Sequence, residues 1–296
     1  MRRAKVLGAT LVVMSAMAGA AQAQEVGADL GLFSSYVWRG LSLTNKPVAE
    51  PDLWVTFPAG KASVTLGGWA NIDLGKYDDP NDDISESGGL SSFNFAEFDP
   101  YAEIAFTAGK ATITGGATAY IYPNDAGITK DANTVEIYGK LEVDAPLAPS
   151  IAAYYDVDKI KGLYVEGSIS HSFPASEKVS VDLSVLAGFN AGQGVPDDPT
   201  SDESFNFFDN GFTHLDLSAG VPIATGAVSI TPVLHLVITG DDFTKVTSPT
   251  NIDKGAKLWG GVTLSWSKSY GEEAEEGASE EPAAPAAPTE PADSAQ

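Results

Sequence analysis

The sequence contains no cysteine among its 296 residues. This absence excludes a disulfide-stapled fold, a Cys-ligated zinc or iron–sulfur site and a cysteine nucleophile. Basic residues are scarce as well, with 17 Lys and Arg against 40 Asp and Glu and a net charge of −23. Such a chain is a poor partner for phosphate groups, so we expect no nucleic-acid binding. The interior lacks an apolar run of roughly 18 residues, which excludes a multi-helix membrane protein.

The two ends of the chain differ in composition from the rest. Residues 1–23 combine a basic start, a short apolar stretch and the cleavage pattern Ala21-Gln22-Ala23, as in a secretory signal peptide. Residues 271–296 consist mainly of Glu, Ala and Pro and are predicted to form a disordered acidic tail, because they cannot bury enough apolar area to fold. Residues 24–270 therefore make up the predicted folded domain.

Apolar and polar residues alternate with a period of two through most of this domain. Between residues 61 and 74, for example, Ala62, Val64 and Leu66 share one face while Ser63 and Thr65 point to the other. Short connections generally alternate with longer polar ones. The pattern predicts twelve strands, at about 27–39, 49–57, 62–74, 95–107, 111–122, 133–143, 150–157, 162–173, 178–190, 212–221, 227–239 and 256–267.

These strands predict an all-β fold, a single antiparallel transmembrane β-barrel of about 12 strands with up-and-down topology and both termini periplasmic. A soluble β-sandwich also shows alternation, but most of the predicted strands are longer than the five or six residues typical of soluble proteins. The apolar face is almost free of charge. Aromatic residues lie at its strand ends, such as Phe106 and Trp266 at the short turns and Tyr36 and Trp38 at the long loops, as in the girdles of membrane barrels.

The beginning of the domain carries a recognisable motif. The run Tyr36-Val37-Trp38-Arg39-Gly40 continues through Ser42 and Thr44, and Trp69-Ala70-Asn71 follows downstream. This pattern resembles the opening of the TorF-type family of outer-membrane porins from Gram-negative bacteria, with the match concentrated in residues 27–74. The resemblance implies a β-barrel channel whose substrate is poorly defined. Outer-membrane barrels usually end on an aromatic residue, whereas here Trp266 or Tyr270 is followed by the acidic tail.

The inward face of the predicted strands carries more acids than bases, which predicts a lumen that prefers cations. Aromatic side chains on this face could stack with solutes or simply fill space. Arg39 with Asp73, or Lys140 with Glu142, could instead pair into a plug of salt bridges. The predicted lining residues are Arg39, Trp69, Asp73, Glu103, Tyr120, Glu136, Tyr138, Lys140, Glu166, Lys178, Asp182, His214 and Asp216.

The resulting functional hypothesis is a passive channel for small hydrophilic solutes, cations among them, with no cofactor and no catalytic activity. One alternative is an outer-membrane hydrolase that uses His214 and an acid from a neighbouring strand, and another is a closed structural or adhesive barrel. The expected location is the bacterial outer membrane. The expected partners are its lipid and lipopolysaccharide, its assembly machinery and small solutes, and a homo-oligomer is left open. The loop residues Asp79, Asp82 and Asp83 are weak metal-ligand candidates, because solvated surface charge explains them as well.

Overall fold

A computed structural model describes residues 25–75, 93–123, 133–193, 210–239 and 255–270. The predicted signal peptide, the acidic tail and the loop candidates Asp79, Asp82 and Asp83 lie outside these ranges. No helix in the described part of the chain is long and apolar enough to cross a membrane. The described strands are β1 (Glu25–Phe33), β2 (Tyr36–Trp38), β3 (Leu41–Thr44), β4 (Val48–Ala59), β5 (Ala62–Asp73), β6 (Asn94–Ala108), β7 (Ala111–Tyr120), β8 (Thr134–Val143), β9 (Ser150–Asp156), β10 (Gly162–Ser176), β11 (Val179–Ala191), β12 (Gly211–Gly220), β13 (Ile223–Thr225), β14 (Val228–Thr239) and β15 (Ala256–Ser269).

Twelve of these strands form a closed antiparallel β-barrel. Around the barrel the order is β1, β4, β5, β6, β7, β8, β9, β10, β11, β12, β14 and β15, and β15 pairs with β1 to complete the ring. The short β13 lies beside β14 and makes one further pairing with β11. Strands that are neighbours in the ring follow one another along the chain, so the up-and-down topology predicted from the sequence is confirmed.

The outer surface of the barrel is apolar on every strand. Leu53 and Leu258, for instance, are 59% and 64% exposed. A continuous apolar surface of this kind is stable where lipid covers it, and it is unusual on a soluble monomer. One exposed apolar residue from each barrel strand in ring order is Leu32, Leu53, Leu66, Ile104, Ile113, Ile137, Ile151, Ile169, Val185, Phe212, Leu234 and Leu258.

The first predicted strand, 27–39, is too long. β1 ends at Phe33, and the following residues turn into the barrel as a separate hairpin made of β2 and β3. Tyr36 and Trp38 are therefore buried inside, at 4% and 2% exposure, and the prediction that they belong to an outer aromatic girdle is wrong. Their alternation arises because one face of this hairpin packs against the barrel wall instead of against lipid.

The barrel interior is not uniform along its axis. At the end that carries the longer connections, here called the long-connection end, interior side chains such as Tyr120, Tyr154 and Tyr164 are buried. Toward the short-turn end many interior residues are half-buried, and hydroxyls pair across strands, as in the Ser150–Ser168 contact of 2.7 Å. The interior is thus filled where the hairpin enters and lined by polar groups below it.

Candidate functional site: the hairpin inside the barrel

The candidate site is built around residues 34–47, which connect β1 to β4 and are called here the inserted hairpin. β2 and β3 are joined by a two-residue turn between the paired residues Trp38 and Leu41. Both turn residues have positive φ, 45° at Arg39 and 83° at Gly40, as a type I′ turn requires. The turn places the side chain of Arg39 at the tip of the hairpin.

Arg39 forms a buried ion pair with the barrel wall. Its Nη2 lies 2.7 Å from Oε1 of Glu136 and its Nη1 lies 3.1 Å from Oε2, so the guanidinium and the carboxylate meet in a two-pronged contact. Nη1 also donates to Oε1 of Gln193 at 2.7 Å. Gln193 Nε2 and Tyr120 Oη in turn donate to the two oxygens of Glu136, at 2.7 and 3.0 Å. The paired charges are therefore supported by neutral hydrogen-bond donors, as a stable buried ion pair needs.

Aromatic rings surround the same guanidinium. The Cζ atom of Arg39 lies 4.2 Å from the ring centroid of Tyr164, 4.6 Å from that of Tyr154 and 4.8 Å from that of Trp38. These distances suit cation–π attraction, which is strongest where water is excluded. Neither the Arg39 side chain nor Tyr164 has measurable exposure. Glu136, Gln193, Tyr154 and Tyr164, together called the guanidinium cage, all belong to the barrel side of the contact.

The inserted hairpin crosses the full width of the barrel. In the ring of twelve strands the β9–β10 junction lies opposite the β1–β4 junction from which the hairpin emerges. Tyr154 on β9 and Tyr164 on β10 are the residues that Arg39 contacts there. On another side of the tip, a Cβ added at Gly40 would lie 2.6 Å from Cβ of His214. The tip is therefore held between strands on the far side of the barrel.

A second set of contacts holds the base of the inserted hairpin. Lys257 on β15 donates from Nζ to the hydroxyls of Ser35 and Ser42, and the Ser35 hydroxyl donates to the carbonyl of Thr44. Ser35, Ser42 and Thr44 are all buried, whereas Lys257 is partly buried. The hairpin is thus attached to the wall at both its base and its tip by side chains.

Buried acids concentrate on the wall beside the hairpin. Tyr36 donates to Oε2 of Glu97 at 3.0 Å, and its ring packs against Trp69 with centroids 5.6 Å apart. Asp73 accepts a hydrogen bond from the amide of Asn71 at 3.2 Å. Asp99, next to this group on β6, has no measurable exposure. The sequence suggested Asp73 as a partner of Arg39, whereas the hairpin carries Arg39 across the barrel to Glu136.

Tyrosine–carboxylate contacts continue along the wall toward the short-turn end. Tyr138 donates to Oε2 of Glu103 at 2.8 Å, and Tyr154 donates to Oε1 of Glu166 at 3.0 Å. The predicted pairing of Lys140 with Glu142 is confirmed at 3.0 Å.

Two further predicted residues lie at the short-turn end. Asp182 accepts hydrogen bonds from the hydroxyls of Ser172 and Ser180, at 2.6 and 2.9 Å. Lys178 is exposed in the turn between β10 and β11, because β11 begins at Val179. Neither residue contributes to the contacts around Arg39 described above.

The two predicted residues on β12 have different partners. His214 Nδ1 lies 2.9 Å from Oγ1 of its neighbour Thr213, against the tip of the hairpin. Asp216 Oδ2 lies 2.9 Å from Nδ1 of His235 on β14, whose ring stacks on Trp259 at 4.2 Å. The histidine that an acid orients is therefore His235 and not His214. In the described ranges, no group of three or more His, Asp and Glu residues is arranged to hold a metal ion.

Sequence reasoning missed several residues of this site. Gln193 falls in a predicted long loop, where alternation gives no information. Glu97 and Asp99 could have been found, because the register that turns Tyr101 and Glu103 inward turns them inward as well. His235 and Lys257 lie on predicted strands, and the same alternation would have assigned them to the inner face.

Comparison with known proteins places the chain in a family. The sequence matches the Gcw_chp family, described as bacterial protein of unknown function, over residues 17–177. This chain belongs to the Gcw_chp family. The matched range includes the inserted hairpin and the cage residues Glu136, Tyr154 and Tyr164 of this chain, and it ends before Gln193. The TorF-type relationship suggested by residues 27–74 stays a prediction.

Solved structures resemble this Gcw_chp member in fold. An outer-membrane channel from Pseudomonas putida F1 superposes with a TM-score of 0.53 at 7% identity, covering 83% of this chain and 96% of that one. LpxR from Salmonella typhimurium gives a TM-score of 0.44 at 8% identity, with 82% of this chain and 99% of that one covered. A NanC porin gives 0.42 at 10% identity, with 81% and 98% covered. No curated protein matches the sequence. At 7% identity, the likeness to the Pseudomonas putida channel concerns the fold of the barrel alone.

Proposed function

We propose that this protein is a channel of the bacterial outer membrane for passive diffusion of small hydrophilic solutes, with a preference for cations. The observation that carries the proposal is the contrast between the two faces of the closed barrel. Every barrel strand exposes a large apolar side chain outward, whereas polar and charged groups face inward. A barrel with an apolar band outside and a polar interior is the arrangement of membrane pores.

The charge of the interior supports cation preference. Six acids of the described chain, Asp52, Asp73, Glu97, Asp99, Glu136 and Asp156, are buried, while Arg39 is the one buried Lys or Arg in the same ranges. A narrow passage with low-dielectric walls amplifies the effect of such an excess on a passing ion. Cations should therefore enter more readily than anions of similar size.

The inserted hairpin sets the width of the proposed pore. β2 and β3 pair with each other in a small sheet of their own and do not join the barrel sheet. Side-chain contacts of Arg39 and Lys257 hold its tip and base, and its two ends are fixed to the wall by backbone hydrogen bonds from Ser34 N–H to the Gly260 carbonyl and from Leu74 N–H to the Pro47 carbonyl. The part of the hairpin between these ends can therefore move out of the lumen without breaking the hydrogen-bonded ladders between barrel strands, which makes it a constriction of variable position.

The test is to refold the chain without residues 1–23 and 271–296 and to record single-channel currents across a planar bilayer in a salt gradient. Discrete steps with a reversal potential toward the cation equilibrium value are expected. Steps that favour anions would keep the pore and overturn the cation preference. A protein shown to be inserted and folded that produces no steps would favour a closed structural or adhesive barrel.

The proposal includes location and partners. Export through a cleaved signal peptide would bring the chain to the outer membrane, where assembly machinery, lipid and lipopolysaccharide would be its partners and both termini would face the periplasm. Fractionation of cells and the N-terminal sequence of the mature protein test this part. Recovery in the cytoplasm with an intact residue 1 would contradict it.

One observation favours a hydrolase as the second candidate. The pair of Asp216 and His235 has the geometry of an oriented histidine base, and Ser218 is the register partner of His235. The pair faces the barrel interior, so only a solute inside the barrel could reach it. Release of nitrophenol from a soluble ester by the refolded barrel, lost on His235→Gln, would support the hydrolase. Equal release from both proteins would rule out this site.

A further inference from the structure

The wall of the barrel that receives Arg39 has the features of a ligand site. A guanidinium is recognised by a carboxylate that accepts two parallel hydrogen bonds and by aromatic faces that pack around it. Glu136 provides the two-pronged acceptor, while Tyr154 and Tyr164 provide the rings. Gln193 adds an amide oxygen at 2.7 Å. The combination is specific for a planar, fork-shaped cation and does not suit a round ammonium equally well.

Three of the four cage residues are held in place by contacts that do not involve the hairpin. Tyr120 donates to the Glu136 carboxylate, and Tyr154 is fixed by its hydrogen bond to Glu166. The backbone N–H of Gln193 donates to Oδ1 of Asn190, and the backbone carbonyl of Gln193 accepts from Nδ2 of Asn190, at 3.0 Å each. A site whose groups are already positioned loses little freedom when a ligand binds. The guanidinium cage should therefore persist when Arg39 is removed.

The backbone at Arg39 is unfavourable for arginine. With φ at 45°, the residue adopts the left-handed conformation that a type I′ turn needs and that Gly, Asn and Asp accept most easily. Backbone strain of this kind persists where the surrounding structure compensates for it. Here the contacts of the guanidinium with the cage supply such compensation. The hairpin thus presents a guanidinium to the wall in the way that a bound solute would.

We propose that the guanidinium cage is a binding site for solutes that carry a guanidinium group, and that Arg39 occupies it in this structure. The inference deepens the proposed channel function and depends on it only for the route by which a solute reaches the cage. A solute in the lumen competes with Arg39 for Glu136, and its binding frees the tip of the inserted hairpin. The hairpin acts as a tethered competitor, because linkage to the barrel gives Arg39 a high effective concentration at the cage.

The test uses the refolded barrel in detergent micelles and methylguanidinium as the probe, with methylammonium as the matched round cation at equal ionic strength. In Arg39→Ala the cage is vacant, so methylguanidinium should raise the unfolding temperature at concentrations about tenfold lower than methylammonium. The combined variant Arg39→Ala and Glu136→Gln should abolish this difference. Equal effects of the two cations, or a difference that survives Glu136→Gln, would overturn the proposal.

A second variant serves if Arg39→Ala does not refold. Arg39→Lys keeps the positive charge at the tip but cannot fill the two-pronged contact, so methylguanidinium should displace its side chain and make the hairpin accessible to protease. Protection that methylguanidinium leaves unchanged would contradict the proposal. Both readouts are independent of current. Selective binding without current would refute the channel and support the guanidinium-binding site. Current without selective binding would support the channel and refute the binding site.

Discussion

Arg39 and Glu136 are 97 positions apart in the sequence, and their side chains meet at 2.7 Å across the interior of the barrel. The contact joins the tip of the inserted hairpin to β8, on a part of the ring far from the strands that carry the hairpin. Because both groups are buried, removal of one leaves the charge of the other with neither a counter-charge nor solvating water. This relationship makes Glu136 the first residue to test for control of the hairpin position.

Glu136→Gln should increase single-channel conductance several-fold. The change leaves the Arg39 guanidinium buried without its counter-charge, at a cost of about 3–5 kcal/mol. Moving the hairpin outward lets water solvate the guanidinium, so the barrel can relieve this cost without unfolding. Conductance is measured in planar bilayers under the same salt conditions for both proteins.

The matched control for that experiment is Glu142→Gln. Glu142 lies on the same strand and the same face, pairs with Lys140 at 3.0 Å and is 38% exposed. Because water reaches both side chains, with Lys140 at 19%, the pair contributes about 0–1 kcal/mol, and conductance should stay close to that of the unchanged protein. If the two variants conduct equally, the ion pair of Arg39 does not hold the hairpin.

Gly40→Ala should expel the tip of the hairpin from the barrel. The added Cβ would lie 2.6 Å from Cβ and Cγ of His214, and φ at this position is 83°. Trypsin cuts after arginine, so the bond following Arg39 should become cleavable in the variant while it stays protected in the unchanged protein. Fragment masses identify the cut.

Gly60→Ala is the control that distinguishes the clash with His214 from the backbone strain that both substitutions cause. Gly60 also has a positive φ, 71°, but an added Cβ would meet no atom within 4 Å. The substitution should cost about 1–2 kcal/mol in the free energy of unfolding and leave the Arg39 bond protected. Cleavage after Arg39 in both variants would mean that general loosening, and not contact with His214, exposes the hairpin.

Alternation predicted the barrel well because its cause is the same along nearly every strand. Apolar residues such as Ile113 and Leu234 face outward at every second position, and twelve strands were expected where twelve form the ring. The inserted hairpin was not predicted because Tyr36 and Trp38 are spaced two residues apart, as apolar residues are in a lipid-facing strand. A local pattern records that one face is apolar but not what covers that face. The partners of Arg39 depend on the closure of the ring, which no local pattern contains.

Lys257→Met should raise the preference for cations over anions. Lys257 faces the interior beside the hairpin and donates to Ser35 and Ser42, so the change removes a positive charge from the passage and loosens the base of the hairpin. Lys268→Met is the control, since Lys268 is exposed near the end of β15 with its Nζ 5.0 Å from the ring centroid of Tyr270. The reversal potential in a salt gradient should shift toward the cation value for the first variant alone. Equal shifts would show that overall charge, and not position, sets the selectivity.

Ile169→Arg tests which face of the barrel meets lipid. Ile169 lies at the middle of β10 and is 42% exposed, whereas its neighbour Ser170 faces inward, opposite Ser184 on β11. A charged side chain on the lipid face near the bilayer centre costs about 2–4 kcal/mol, because the hydrocarbon cannot solvate it. Ser170→Arg places the same charge in the polar interior and should cost much less. The free energy of unfolding from phospholipid vesicles, measured by urea titration, should fall clearly for Ile169→Arg and only slightly for Ser170→Arg. The reverse order would mean that the two faces of β10 are assigned to the wrong surroundings, and the channel proposal would lose its main support.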